Sequence, residues 1–132
     1  MIICKIDGVS YDVLITAISE NFNILYSENT GRTMSKGARM TLDPLGTFVG
    51  HNVTFQRKRG YEEEFDKLFN YLMQPRIEGI HVELVHDQTI LSYDAYVSTG
   101  ERKLERIDPN TGKILWGSFS ANIVPMEAQI VV

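Results

Sequence analysis

The chain has 132 residues, 43% of them hydrophobic and 23% charged, with a formal charge of −4 and a pI near 5.3. That length suits one domain with its own core, and the single cysteine, Cys4, excludes an intrachain disulfide and argues against structural zinc. Mild acidity gives no electrostatic reason for broad nucleic-acid binding, and no apolar run nears the ~20 residues of a bilayer span. Ile2-Ile3-Cys4 is too short and unflanked for a signal-peptide core, so a soluble cytoplasmic product is expected.

Met1–Ile6 reads as a short strand ending at Asp7-Gly8, and Val9–Ile15 alternates, with Val9, Tyr11, Val13 and Ile15 on one face. Two such runs around Asp-Gly predict a β-hairpin. A second alternating run puts Ile18, Phe22, Ile24 and Tyr26 on one face and Asn21 and Asn23 on the other. Residues 27–47 then change character, with three glycines, one proline and few β-branched apolar residues. A structureless loop of that length is unusual in a compact domain. It is a solvated mobile loop, an extended hairpin, or a segment that orders against a partner. Arg32, Lys36 and Arg39 make it slightly basic in an acidic chain.

Phe48–Lys58 resumes strand character, with Val49, Val53 and Phe55 alternating with Gly50, Asn52 and Thr54. The one clear 3.6-residue period follows over residues 61–73, where Tyr61, Phe65, Leu68, Phe69 and Leu72 share a face. Glu62, Glu63 and Glu64 suit the positive end of the helix dipole, and Pro75 enforces a stop. Ile80–Leu84 and Leu91–Val97 read as strands around a turn at His86–Thr89. Asp108-Pro-Asn-Thr-Gly112 is a dense turn signal that should tip a last hairpin between Lys103–Ile107 and Lys113–Val124. Ala128–Val132 is a candidate edge strand. The expected fold is mainly β (α+β), an antiparallel β-sandwich or small barrel with one flanking helix, in a single domain over residues 1–132.

The chemistry-bearing residues do not assemble into a reaction. His81 and His86 have opposite strand parity, and His51, His81 and His86 read as ordinary histidines on strand surfaces and turns rather than metal ligands. Asp108–Gly112 lacks the glutamate that a calcium loop needs at its twelfth position, which is Phe119. There is no phosphate-binding glycine loop and no nucleophile elbow, and Cys4 reads as a small buried hydrophobe. Trp116 reads as core. Arg57-Lys58-Arg59 is either a solvated strand end that pairs with Glu62–Glu64 or a contact with a neighbouring subunit. No catalytic residue, metal or cofactor is expected.

The order hairpin, long loop, strand, helix, hairpin and long final strand resembles the tail-tube superfold of bacteriophage tail tube and distal tail proteins. Tyr61–Met73 followed by Ile80–Leu84 and Leu91–Val97 carries the match. Asn29-Thr-Gly-Arg-Thr-Met34 and Trp116-Gly-Ser-Phe-Ser-Ala-Asn-Ile-Val-Pro-Met-Glu127 are similar to segments of small tail proteins from prophages of Gram-positive bacteria. The resemblance implies a non-enzymatic structural subunit of a virion tail, made in the host cytoplasm. It would assemble with itself, hexameric as one option, and with other tail proteins into a ring or tube. DNA would be non-specific cargo, and no membrane is involved. Arg32, Lys36, Arg39, Arg57, Lys58 and Arg59 are the expected assembly contacts. Tube, distal-tail ring, baseplate ring and tail-completion protein stay open as components. The rival reading is a small-ligand or carbohydrate-binding β-domain using Tyr93, Tyr96 or Trp116.

Overall fold

The computed structural model describes residues 4–32 and 37–131. Among the described residues nine strands and one helix follow one another as β1 (Cys4–Ile6), β2 (Val13–Tyr26), β3 (Gly31–Arg32), β4 (Met40–Thr41), β5 (Pro44–Arg57), α1 (Glu62–Met73), β6 (Ile80–His86), β7 (Thr89–Ile107), β8 (Ile114–Pro125) and β9 (Ile130–Val131). The fold is mainly β with one helix. A seven-stranded antiparallel sheet runs β1-β6-β7-β8-β5-β2, with β9 paired to β5 where β8 has ended, and β3 and β4 form a separate pair.

Asp7-Gly8 makes the tight turn that its sequence demands. Both residues sit at positive φ, and Ile6 and Val9 exchange backbone hydrogen bonds at 3.0 Å, as in a two-residue hairpin turn. The hairpin goes no further, which corrects the sequence reading. The chain leaves the ladder after Val9, and β1 pairs with β6, Cys4 opposite Leu84 and Ile6 opposite Val82. The turn is fixed from outside: the Asp7 carboxylate accepts from the His81 amide at 2.8 Å and from the Tyr71 hydroxyl.

β2 explains why the apolar parity of its sequence shifts from odd to even. Ile15 lies opposite Phe55 but Ala17 lies opposite Thr54. One extra residue on β2 forms a bulge there and turns Ile18, Glu20, Phe22 and Ile24 to the face that Val13 and Ile15 occupied. The two sequence runs are therefore one bent strand. Its partner β5 begins at Pro44 rather than Phe48, so β2 and β5 form one long hairpin. Beyond their ladder the chain closes at a neck, where the Ser27 amide donates to the Asp43 carbonyl at 2.9 Å and the Asp43 amide donates to Thr30 Oγ1 at 2.9 Å. β3 and β4 pair past this neck. The segment expected as a long loop is thus an extended hairpin among its described residues.

α1 ends where the residue before Pro75 must turn extended, and Gln74 does so at ψ 124°. Phe65, Leu68 and Leu72 are buried and Phe69 is partly buried. Tyr61 departs from the expectation. It is the residue before the first helical turn and is 45% exposed, with Lys58 Nζ 4.9 Å from its ring centroid. The buried helix residues pack into one cluster with Ile6, Val53, Phe55, Val82, Leu84, Phe119, Ala121 and Ile123. Phe119 is its hub: its centroid is 4.8 Å from Phe55 and 5.2 Å from both Phe65 and Phe69.

Candidate functional site

Three features of the molecule have chemical consequences. The first is a polar cluster inside the curled sheet. His51 lies on β5 with the same parity as Val49, Val53 and Phe55, and its side chain is fully buried. This corrects the reading of His51 as a surface histidine. Three strands separate β6 from β2 in the sheet order, yet the curl brings their side chains together. His51 Nε2 is 3.1 Å from Glu20 Oε2 on β2 and 3.2 Å from the Val85 carbonyl on β6. His51 Nδ1 is 2.7 Å from the Tyr93 hydroxyl on β7. Both neighbours of Nε2 only accept, so Nε2 carries the proton. With the proton on Nε2, Nδ1 accepts from Tyr93, whose hydroxyl is kept protonated because burial pushes its pKa up.

His86, at the end of β6, joins the same carboxylate through Nδ1 at 2.7 Å, and its Nε2 lies 3.6 Å from Asp87. The hydrogen bond that His86 donates to the Glu20 carboxylate, opposed by partial desolvation, raises the His86 pKa above its ordinary value. Desolvation pushes the Glu20 carboxyl up, but His86 and His51 outweigh it and hold it below the usual range. His81 points to the opposite face and pairs with Asp94 at 2.9 Å. Among the described residues no group of three or more His, Cys, Asp or Glu side chains is placed to hold a metal. Cys4 is half-buried, and burial pushes its thiol up to about 12.

The second feature is the charged surface at the start of α1. Arg57 is turned inward and donates to Glu105 at 2.9 Å, with Glu62 at 3.9 Å and Lys113 Nζ 3.6 Å from that same Glu62. Local pairing therefore engages Arg57, and Lys58 covers Tyr61. Arg59 borders a wide shallow depression of about 660 Å³ with Lys67, Lys113 and the three glutamates. Arg32 donates to the Ala38 carbonyl at 3.4 Å, and Arg39 is exposed. Lys36 lies outside the described residues. The structure thus separates the expected contact residues into two groups, one on the β2–β5 hairpin extension and one beside the helix. A cation that sequence reading did not single out, Arg102, is more firmly built in. Its guanidinium lies 4.1 Å from the Phe69 centroid and 4.0 Å from that of Trp116, and it donates to Asp66 at 3.1 Å. Trp116 is partly buried against the core, as expected. Tyr93 faces inward to His51, whereas Tyr96 is of opposite parity and half exposed. The three aromatics do not line one groove.

The third feature is the sheet edge. Among the described residues, β2 is the last strand in the order and carries no partner strand on its outer side. Its sequence, VLITAISENFNILY, has no lysine, arginine or proline, and Glu20 is its one charge. Sheet proteins usually blunt an edge with such residues, because free N–H and C=O groups invite another strand. The opposite edge is β1, which has 3 described residues.

No family model matches the chain, and no curated protein matches it.

Proposed function

We propose that this chain is a structural subunit that assembles with copies of itself into a ring or tube, and that the assembly belongs to a phage or prophage tail. Tube, distal-tail and baseplate rings are all compatible components, with DNA passing as non-specific cargo. The observation that carries the assembly half of this reading is the unblunted 14-residue edge of β2. A strand of that length with a single charge offers a long row of unpaired backbone groups, and a neighbouring strand satisfies them by extending the sheet. Because β2 and β1 are different strands with different sequences, the two edges are not equivalent. A contact that uses different surfaces on each subunit closes into a ring or continues as a filament. The tail half rests on the resemblance in element order and in the two quoted segments. Virion localisation, other tail proteins as partners and the absence of catalysis follow from that half. The assembly half is tested by lysines at Ala17 and Ser19, exposed positions on β2. Size-exclusion chromatography with light scattering should give a multimer for the wild type and a folded monomer for Ala17→Lys/Ser19→Lys. A doubly substituted chain that assembles as the wild type does would overturn the edge reading.

A further inference from the structure

The far end of the β2–β5 hairpin breaks the in-and-out pattern of a sheet with one covered face. Ile24 of β2, Thr47 of β5 and Ile130 of β9 lie in one cross-strand row, and Leu25, Gly46 and Val131 lie in the next. Successive rows point to opposite faces, so this three-stranded ribbon is apolar on both. Runs of consecutive large apolar residues mark strands covered on both sides. Here the runs are bare: Phe22 is 71% exposed, Ile130 61% and Val131 74%, and Ile24, Leu25 and Tyr26 are each more than a third exposed. The core cluster ends short of them.

Exposure on this scale is more than scattered surface hydrophobes. Phe22, Ile24, Tyr26 and Ile130, which share one face, leave the equivalent of about two fully exposed large side chains, or ~300–400 Å² at ~150–200 Å² each, and Leu25 and Val131 add about one more on the other face. A standard specific interface of ~800 Å² per partner, a little over half of it apolar, has ~450 Å² of apolar surface, and the face with Phe22 and Ile130 supplies most of that. Leu42 and Leu45, both exposed beside the neck, enlarge the surface further. Residues 21–26 and 128–131 include no charged side chain. The patch therefore has no cations with which to seek anionic lipid and nothing to select an oppositely charged partner. An uncharged apolar surface of this area is complementary to another like itself, and it is continuous with the open edge of β2.

We propose that the apolar end of the β2–β5–β9 ribbon is a self-association face covered by a second copy of this chain. The inference rests on the assembly reading above and names a second surface for it, distinct from the outer edge of β2 at residues 17–19. Phe22→Lys/Ile130→Lys is the direct test, because both side chains are exposed and their loss leaves the core untouched. Sedimentation velocity at ~50 μM should show a multimer for the wild type. The double variant should have its association weakened about a hundredfold or more, as expected for two central apolar contacts, with an unchanged melting temperature. Glu78→Ala/Lys103→Ala, exposed changes outside both proposed faces, made in parallel, should associate as the wild type does. If the Lys double variant associates normally while the wild type is multimeric, this face is wrong and the assembly reading stands. If the wild type is a monomer at that concentration, both fail. A monomer that floats with neutral phosphatidylcholine vesicles would assign the face to lipid and overturn the proposal.

Discussion

His51 should be worth more to this fold than its distance from the helix suggests, and its contribution can be separated into parts. Replacing it with phenylalanine roughly keeps the buried volume but removes every hydrogen bond. Glu20 is about one-third exposed, so water can replace what its carboxylate loses. Tyr93 is 7% exposed, and its hydroxyl has no such recourse. A buried hydroxyl left unpaired costs about 1–3 kcal/mol, as does the orphaned carbonyl of a partner such as Val85 when water cannot reach it. His51→Phe should therefore destabilise by about 2–4 kcal/mol, and His51→Ala by about 1–2 kcal/mol more through the cavity. The decisive variant is the double one. Removing both partners of a buried hydrogen bond can be nearly neutral, so adding Tyr93→Phe to His51→Phe should recover about 1 kcal/mol or more. Urea unfolding with unchanged m-values measures all four corners of the cycle. Strict additivity, or a His51→Phe cost below about 0.5 kcal/mol, would refute the buried network.

Phe65→Ala should cost about 3–5 kcal/mol as a fully buried aromatic at the helix–sheet contact, and Tyr61→Ala less than about 1 kcal/mol, by the same unfolding assay; equal losses would contradict the helix orientation. Stability should depend on pH through the Glu20–His86 pair. His86 has a raised folded pKa, so its contribution is full below its ordinary 6.5 and lost as pH rises through the raised value. Glu20 has a lowered folded pKa, so its contribution is present above its ordinary 4.5 and lost as pH falls through the lowered value. The stability difference between wild type and Glu20→Gln should then peak between about pH 4.5 and 6.5, and a flat difference from pH 4 to 9 would contradict the pairing. Replacing residues 31–41 by a short glycine turn, which keeps the Ser27–Asp43 neck, should leave the melting temperature within a few degrees while weakening assembly, and unfolding of that variant would show the extension to be part of the core.

The helix was legible because its signals are local: period, acidic first turn and a proline stop all lie within fifteen residues. Tyr61 was misread because it shares the apolar spacing but lies ahead of the first helical turn, where the chain arrives from β5. The parity change between Ile15 and Ile18 was visible and was split into two strands, since a bulge and a break look alike until a partner strand is known. His51 carried a usable signal, its odd parity with Val49, Val53 and Phe55. What made it buried and paired is the curl that brings β6 and β2 together, and that depends on contacts 31 and 34 residues apart in sequence. Arg102 gave no signal, because its two aromatic faces and its carboxylate come from two other segments, α1 and β8. β1 chose β6 over the strand nearest in sequence for a similar reason: the apolar row Ile6–Val82–Leu84 is worth more than continuing a two-residue hairpin.

The central claim is that copies of this chain build a ring or tube. Negative-stain electron microscopy of the purified wild-type protein, at a concentration where light scattering reports its mass, tests it most directly. The account predicts closed rings or stacked tubes with a central channel and a discrete multiple of the 15.0 kDa chain mass. A monodisperse 15.0 kDa species with no rings on the grid would contradict it.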